Sequence, residues 1–162
     1  MLRRAGCGIR LISDGDVAAA IAPRLRNSGV DLYLGVGGIP EAVLAAAAIK
    51  CLAGEQLCRM RCRDENEFES LLSDGDCTTA DFEKIWTVDE MARGDHIIFA
   101  ATGISDLPML RGIWYRDQHC ITESIVVRAR YRTVRRIEAH HDIDRKTIAF
   151  PRAARRSTFE EA

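Results

Sequence analysis

Membrane-length apolar runs are missing from this sequence of 162 residues. The longest, Ala42 to Ile49, stops at Lys50, far short of the roughly 20 residues a bilayer span needs, so a transmembrane helix is excluded. Cysteine is sparse: six residues are too few for the disulfide scaffold of a small secreted domain. No charged start with an apolar run and a cleavage site opens the chain. The thiols are therefore read as reduced, and the location as the cytoplasm. Low-complexity segments and long internal repeats are also lacking. No Gly-x-Ser-x-Gly elbow occurs, so a serine hydrolase has no support.

What remains is ordinary in composition, with 47% hydrophobic and 29% charged residues, as expected of one compact domain. A chain of this size buries roughly 70% of its unfolded surface, enough for a core without metal or disulfide staples. The net charge of −1 hides an asymmetry, because Glu123 to Ala162 holds ten Lys/Arg against six Asp/Glu. Arg128, Arg130, Arg132, Arg135, Arg136, Arg155 and Arg156 could touch phosphates. Their spacing fits the outer face of strands and a polar tail, so the solvated-face reading is favoured and no nucleic-acid partner is expected.

Leu2 to Gly8 reads as the last turn of a helix and its glycine stop, with no room for the helix itself, which implies chain upstream. Ile9 to Ile12 reads as a strand, Ser13-Asp14-Gly15-Asp16 as a tight turn, and a helix begins at Val17 and ends or kinks near Pro23. A second unit repeats the plan. Val30 to Leu34 is the strand, Gly35-Val36-Gly37-Gly38 the turn, and an Ala-rich helix with Pro40 at its start runs to about Leu52. Two consecutive βα units predict a mostly parallel sheet.

Gln56 to Cys62 reads as a third strand after the Ala53-Gly54 stop. The stretch from Arg63 to Lys84 carries one or two short helices, with a turn at Ser73-Asp74-Gly75. Thr87 and Glu90 form a capping box before a short helix ended by Arg93-Gly94. His96 to Ala101 is a strand, and Ile121 to Arg130 with Thr133 to Ala139 an antiparallel pair. From Asp142 the periodicity fades into a charged tail, 142–162, expected to be disordered. The expected architecture is thus α/β, an open mixed sheet with flanking helices over 1–141.

Parallel strands expose their carboxyl ends as a crevice, and the turns Asp14-Gly15-Asp16 and Gly35 to Glu41 both fall at such ends. Glycines at 35, 37 and 38 admit close backbone approach, and the helix start beyond them aims unpaired N–H groups at an anion such as a phosphate. Glu41 in the first helical turn either satisfies the helix dipole or faces the crevice and binds a hard divalent cation. Asp14 and Asp16 either accept bonds from sugar hydroxyls, hold a metal, or simply form a turn with a helix cap. The same four letters recur at Ser73-Asp74-Gly75-Asp76, where a polar loop suffices.

Other templates fail. A dinucleotide fingerprint starting at Gly35 needs Gly where Pro40 stands, and no Lys-Ser or Lys-Thr follows as in a P-loop. Cys58 and Cys62, with Met60 between them, share one strand face as buried thiols, because no second close Cys/His pair completes a zinc site. His140-His141 ends a strand and takes a surface position.

Together these blocks form a resemblance. Ile9 to Val17, Tyr33 to Val43, Ala46 to Leu52, Arg93 to Ile104 and Thr133 to Ala139 are similar, in order, to blocks of the class II fructose-1,6-bisphosphatases. That family includes enzymes acting on sedoheptulose 1,7-bisphosphate and belongs to the lithium-sensitive, metal-dependent phosphatase superfamily. The resemblance implies hydrolysis of the 1-phosphate of a sugar bisphosphate with Mg2+ or Mn2+, in gluconeogenesis and glycerol metabolism. It carries Asp14, Gly15, Asp16 and Gly38 over as substrate-binding residues and Glu41 as a metal ligand, with no catalytic residue assigned.

The resemblance covers most of residues 2 to 140, and it implies the C-terminal half of the family's fold. The family's other metal-binding acids, and the basic residues that hold the second phosphate, lie in an N-terminal half outside this chain. One Glu with two sugar-facing Asp does not build a metal cluster, so the lone chain is not expected to turn over substrate. The alternatives are an assembly half that joins a separate N-terminal half or a second copy of itself, and a product without selected activity. Smaller departures are Arg132 in place of a turn glycine, and Leu107-Pro108 where the family is polar and glycine-containing.

Overall fold

The computed structural model describes residues 2–26, 28–75, 77–107 and 109–145. A 3-10 turn, Leu2–Ala5, is closed by Gly6 at φ +78°, the left-handed stop the sequence implies. Helix α1, Asp16–Ile21, tightens into a 3-10 turn, Ala22–Arg24, around Pro23, which has no N–H to continue the α-helical ladder. Helix α2, Ile39–Cys51, starts with Pro40 in its first turn, where the fixed φ suits a helix and no N–H is missed.

The end of α2 shows how local chemistry fixes a boundary. Gly54 N–H donates to the Ile49 carbonyl at 2.9 Å and Ala53 N–H to that of Lys50 at 3.1 Å, the two bonds of a Schellman motif. The left-handed residue is Ala53, at φ +54°, and not the glycine. Gly54 is needed for a different reason: a Cβ there would sit 2.6 Å from Arg24 Cγ and 2.8 Å from Ile49 Cγ2. Arg24 packs at that spot because its guanidinium donates to the Leu52 carbonyl at 3.0 and 3.3 Å, satisfying the negative end of the helix.

Strand β1, Leu57–Arg59, pairs antiparallel with β2, Ile85–Thr87. Between them lie α3, Glu65–Ser73, and α4, Thr79–Glu83. Asp64 caps α3 by accepting from Glu67 N–H at 2.9 Å, and Thr78 with Asp81 forms a capping box at α4. Helix α5, Val88–Met91, carries the expected box of Thr87 and Glu90. The Lys84 ammonium, 2.7 Å from Glu90, joins the two Thr87 donors in holding the Glu90 carboxyl down at about 2.

The larger sheet is built on β5, His119–Arg128. Strand β6, Thr133–Asp142, pairs antiparallel along its whole length. Strands β3, Ile98–Thr102, and β4, Trp114–Arg116, share the other edge. Helix α2 packs on this sheet. Ile21, Ala45, Ala48, Ile49 and Cys51 from the helices meet Phe99, Ile125 and Val127 from the strands, with Val88, Met109 and Leu110 completing the core. Lys50 ties α2 to α5 by donating to the Ala92 carbonyl at 2.9 Å beside an ion pair with Asp89 at 2.8 Å.

The α/β class with flanking helices is present, but the expected parallel sheet is corrected: both sheets are antiparallel. The segments 9–12 and 30–34 enter no ladder among the described residues. A strand exists only by pairing with a neighbour, and neither segment makes such a pairing with a described residue. The third strand shrinks to β1, although alternation persists beyond it, with Cys58, Met60 and Cys62 half-buried and Arg59 and Arg61 exposed. None of the six cysteines is in a disulfide. His140 is exposed, while His141 is half-buried and bonds Thr122 Oγ1 at 2.9 Å. The tail expected from 142 lies outside the described residues from 146 onward.

Candidate functional site

Asp14, Gly15 and Asp16 sit where the extended segment 9–12 turns into α1. Ser13 Oγ donates to the Asp14 carboxylate at 3.0 Å, and Gly15 takes φ +79° as the cap residue, a conformation that favours glycine. The second tetrapeptide of the same letters is built the opposite way. Asp74 and Gly75 follow the end of α3, with Gly75 at φ +75° and bonded back to the Leu72 carbonyl, so that copy stops a helix instead of starting one.

The turn before α2 approaches the turn before α1. A Cβ on Gly37 would lie 3.4 Å from Asp16 Oδ2, which puts that carboxylate against the glycine loop. Gly38 is the cap residue of α2 and makes no side-chain cap bond. Instead the Glu41 carboxylate folds back into the space a Cβ on Gly38 would fill. Asp16, Gly37, Gly38 and Glu41 therefore form one cluster at the start of α2. Asp14 stands on the same turn as Asp16, exposed.

Two neighbours escape a reading of the sequence. The Tyr33 phenol occupies the space beside Gly35 that a Cβ would take, and burial with the nearby Asp16 carboxylate pushes its pKa up. Its signal was slight, a single aromatic two residues ahead of the glycine loop. Leu107 reaches the other turn, with Cδ2 3.4 Å from a Cβ placed on Gly15. No local pattern reveals a contact across some ninety residues.

Leu107 is held there by a compact loop, residues 103–113. Gly103 N–H donates to the Glu123 carbonyl, Leu107 N–H to Leu110 and Ile113 N–H to Ile104. Glu123 anchors the loop to β5: its carboxylate accepts from Arg111 N–H at 2.7 Å and pairs with Arg136 at 2.9 Å. The Arg111 N–H first, with Arg136 adding to it, holds the Glu123 carboxyl below the usual carboxylate range.

The described residues contain no group of three or more His, Cys, Asp or Glu that could hold a metal ion. Glu41, exposed at the start of α2, can offer one carboxylate. Among the described residues no helix is long and apolar enough to cross a membrane.

Carboxylates set on glycine turns at two adjacent helix starts, Asp16 against Gly37 and Glu41 against Gly38, mark a protein of the helix-flanked α/β class. Comparison with known proteins gives that class a family. The model of the bacterial, glpX-encoded fructose-1,6-bisphosphatases matches residues 1–141, and the chain belongs to that family. It is 36% identical over 154 residues to fructose-1,6-bisphosphatase 1 class 2 of Escherichia coli K12, covering 90% of this chain and 46% of the relative. The same figures hold for the class 2 enzymes of Escherichia coli O6:H1 and Shigella flexneri. The chain thus spans about half the length of the curated relatives it matches.

Proposed function

We propose that this chain forms part of a fructose-1,6-bisphosphate 1-phosphatase, a phosphoric monoester hydrolase that extends to sedoheptulose 1,7-bisphosphate and uses Mg2+ or Mn2+. The observation that carries the reading is the convergence of Asp16 on Gly37 and of Glu41 on Gly38. In this reading Asp14, Gly15 and Asp16 take the sugar, Asp14 and Asp16 accepting from its hydroxyls and Gly15 shaping the turn. Gly38 lets the ligand approach the backbone at the start of α2.

The placement of Glu41 bears on the role of metal. A carboxylate and a phosphate are both attracted to the positive end of α2, yet at contact distance they repel each other strongly. They share that helix start only with a cation between them, and in this reading Glu41 faces it. No group of three or more ligating side chains joins it among the described residues, so this chain alone is proposed to be inactive and to act with the remaining polypeptide of the family's length. A purely structural assembly half is the second reading, favoured by the apolar side chains left exposed along 9–12 and 32–36.

The test is phosphate release from fructose 1,6-bisphosphate with manganese, by the chain alone and together with the unmatched part of the Escherichia coli relative. The expected outcome is release only by the combination, falling at least about a hundredfold in Glu41→Ala, as for loss of a metal-facing group. Release by the chain alone would contradict the proposed incompleteness. A combination that assembles without releasing phosphate would favour the assembly half.

A further inference from the structure

The most unusual surface of the molecule lies beside the candidate site. Leu11 is 85% exposed and Val36 88%, with Leu32 and Leu34 also open to solvent. Within 32–36 every second residue is an exposed apolar side chain, while Tyr33 between them is half-buried. That is the period of a strand with one face waiting for a neighbour. The backbone agrees, because 9–12 and 32–36 run through no helix and no ladder among the described residues, leaving N–H and C=O groups free to pair. A polar loop would share the unpaired backbone but not the apolar alternation.

We propose that these two segments are a docking surface for the polypeptide that makes up the rest of the relatives' length, engaged by strand addition. Three observations select that occupant. The match covers 46% of each relative, so more than half of their length is polypeptide outside it. The exposed stripe has strand period, and strand addition satisfies backbone and side chains together. A lipid surface would cover the side chains and leave the backbone groups unpaired. Segment 9–12 leads into the turn at Asp14, and 32–36 runs into Gly37 and Gly38 before α2, so the docked polypeptide borders the cluster at the start of α2. The proposal rests on family membership and exposed surface, and it does not require the phosphatase reading to hold.

The test co-expresses this chain with a second polypeptide comprising the unmatched part of the Escherichia coli class 2 relative. A one-to-one complex by sedimentation velocity is expected, with amide exchange at 9–12 and 32–36 slowed at least about tenfold. Leu34→Lys should weaken association at least about tenfold. Leu57→Lys serves as the control: Leu57 on β1 is 70% exposed, Leu34 69%, so neither change disturbs the core. Absence of a complex would overturn the proposal, as would protection confined to other segments or equal effects of the two substitutions. Protection of 9–12 and 32–36 that grows with the concentration of this chain alone would overturn it in favour of a second copy. No readout here depends on phosphate release, so failure of the phosphatase reading would be seen separately.

Discussion

Two apolar stretches of this chain meet opposite fates. Helix α2 and strand β5 bury Ala46, Ala48, Cys51, Ile125 and Val127 almost completely, whereas the segments 9–12 and 32–36 leave Leu11, Leu34 and Val36 in solvent. The side chains are of the same kind, so hydrophobicity alone does not decide burial. What separates the regions is a neighbour. β5 has β3, β4 and β6 to pair with and α2 to pack against, while the segments 9–12 and 32–36 enter no ladder among the described residues.

The widest test of that contrast compares two truncations. Ile125→Ala, at a position 1% exposed, should cost about 3 kcal/mol in chemical denaturation. Val36→Ala should change the chain alone by less than about 0.5 kcal/mol. Equal losses would break the comparison by showing that 32–36 is packed in solution. Next in size is Gly103→Ala, where a Cβ would overlap the Arg111 carbonyl and lie 3.1 Å from Leu110 Cβ. Its backbone cannot yield while Gly103 bonds the Glu123 carbonyl. A loss of about 2–3 kcal/mol is expected, with faster amide exchange over 103–113.

A smaller effect sharpens the contrast through pH. Glu123 has its folded pKa held below the ordinary carboxylate value, so its contribution is complete above that value and disappears as pH falls through the folded one. Acidification should therefore loosen 103–113 before the α2 core, and Glu123→Gln should remove most of that acid step while costing about 1–2 kcal/mol at neutral pH. Exchange over 103–113 with the same pH dependence in the wild type and Glu123→Gln would count against it. The smallest changes run the other way. Ala53 and Arg132 hold φ of +54° and +50°, so Ala53→Gly and Arg132→Gly should each raise the thermal midpoint, by about 0.5–1 kcal/mol in stability. No gain at Ala53 would mean that the unfolded chain's added freedom cancels the relieved strain.

Much of the local structure was legible. The capping box at Thr87 and Glu90, the helix behind Pro40, the tightening at Pro23 and the β5–β6 hairpin all arise from residues within a few positions of one another. Arg132, which by resemblance stands at a turn-glycine position, adopts the left-handed conformation. The parallel sheet was misread for an identifiable reason. Ile9 to Ile12 and Val30 to Leu34 have the composition of strands, but pairing needs a second segment that composition does not specify, and neither enters a ladder among the described residues. The box at Thr78 and Asp81 was overlooked although its spacing is the same as that at Thr87, because Asp stands where Glu or Gln is usual.

The candidate site divides along the same line. Sequence by itself determined the glycine turns, their carboxylates and the helix starts behind them, because turn geometry and capping are settled by neighbouring φ/ψ preferences and short side chains. Only the tertiary structure decided that Asp16 lies against Gly37, that Tyr33 fills the space beside Gly35, and that Leu107, held by the Glu123-anchored loop, reaches the turn at Gly15. Those contacts depend on how α1, α2 and the sheet pack, and packing is a property of distant segments meeting, which no local run of residues encodes.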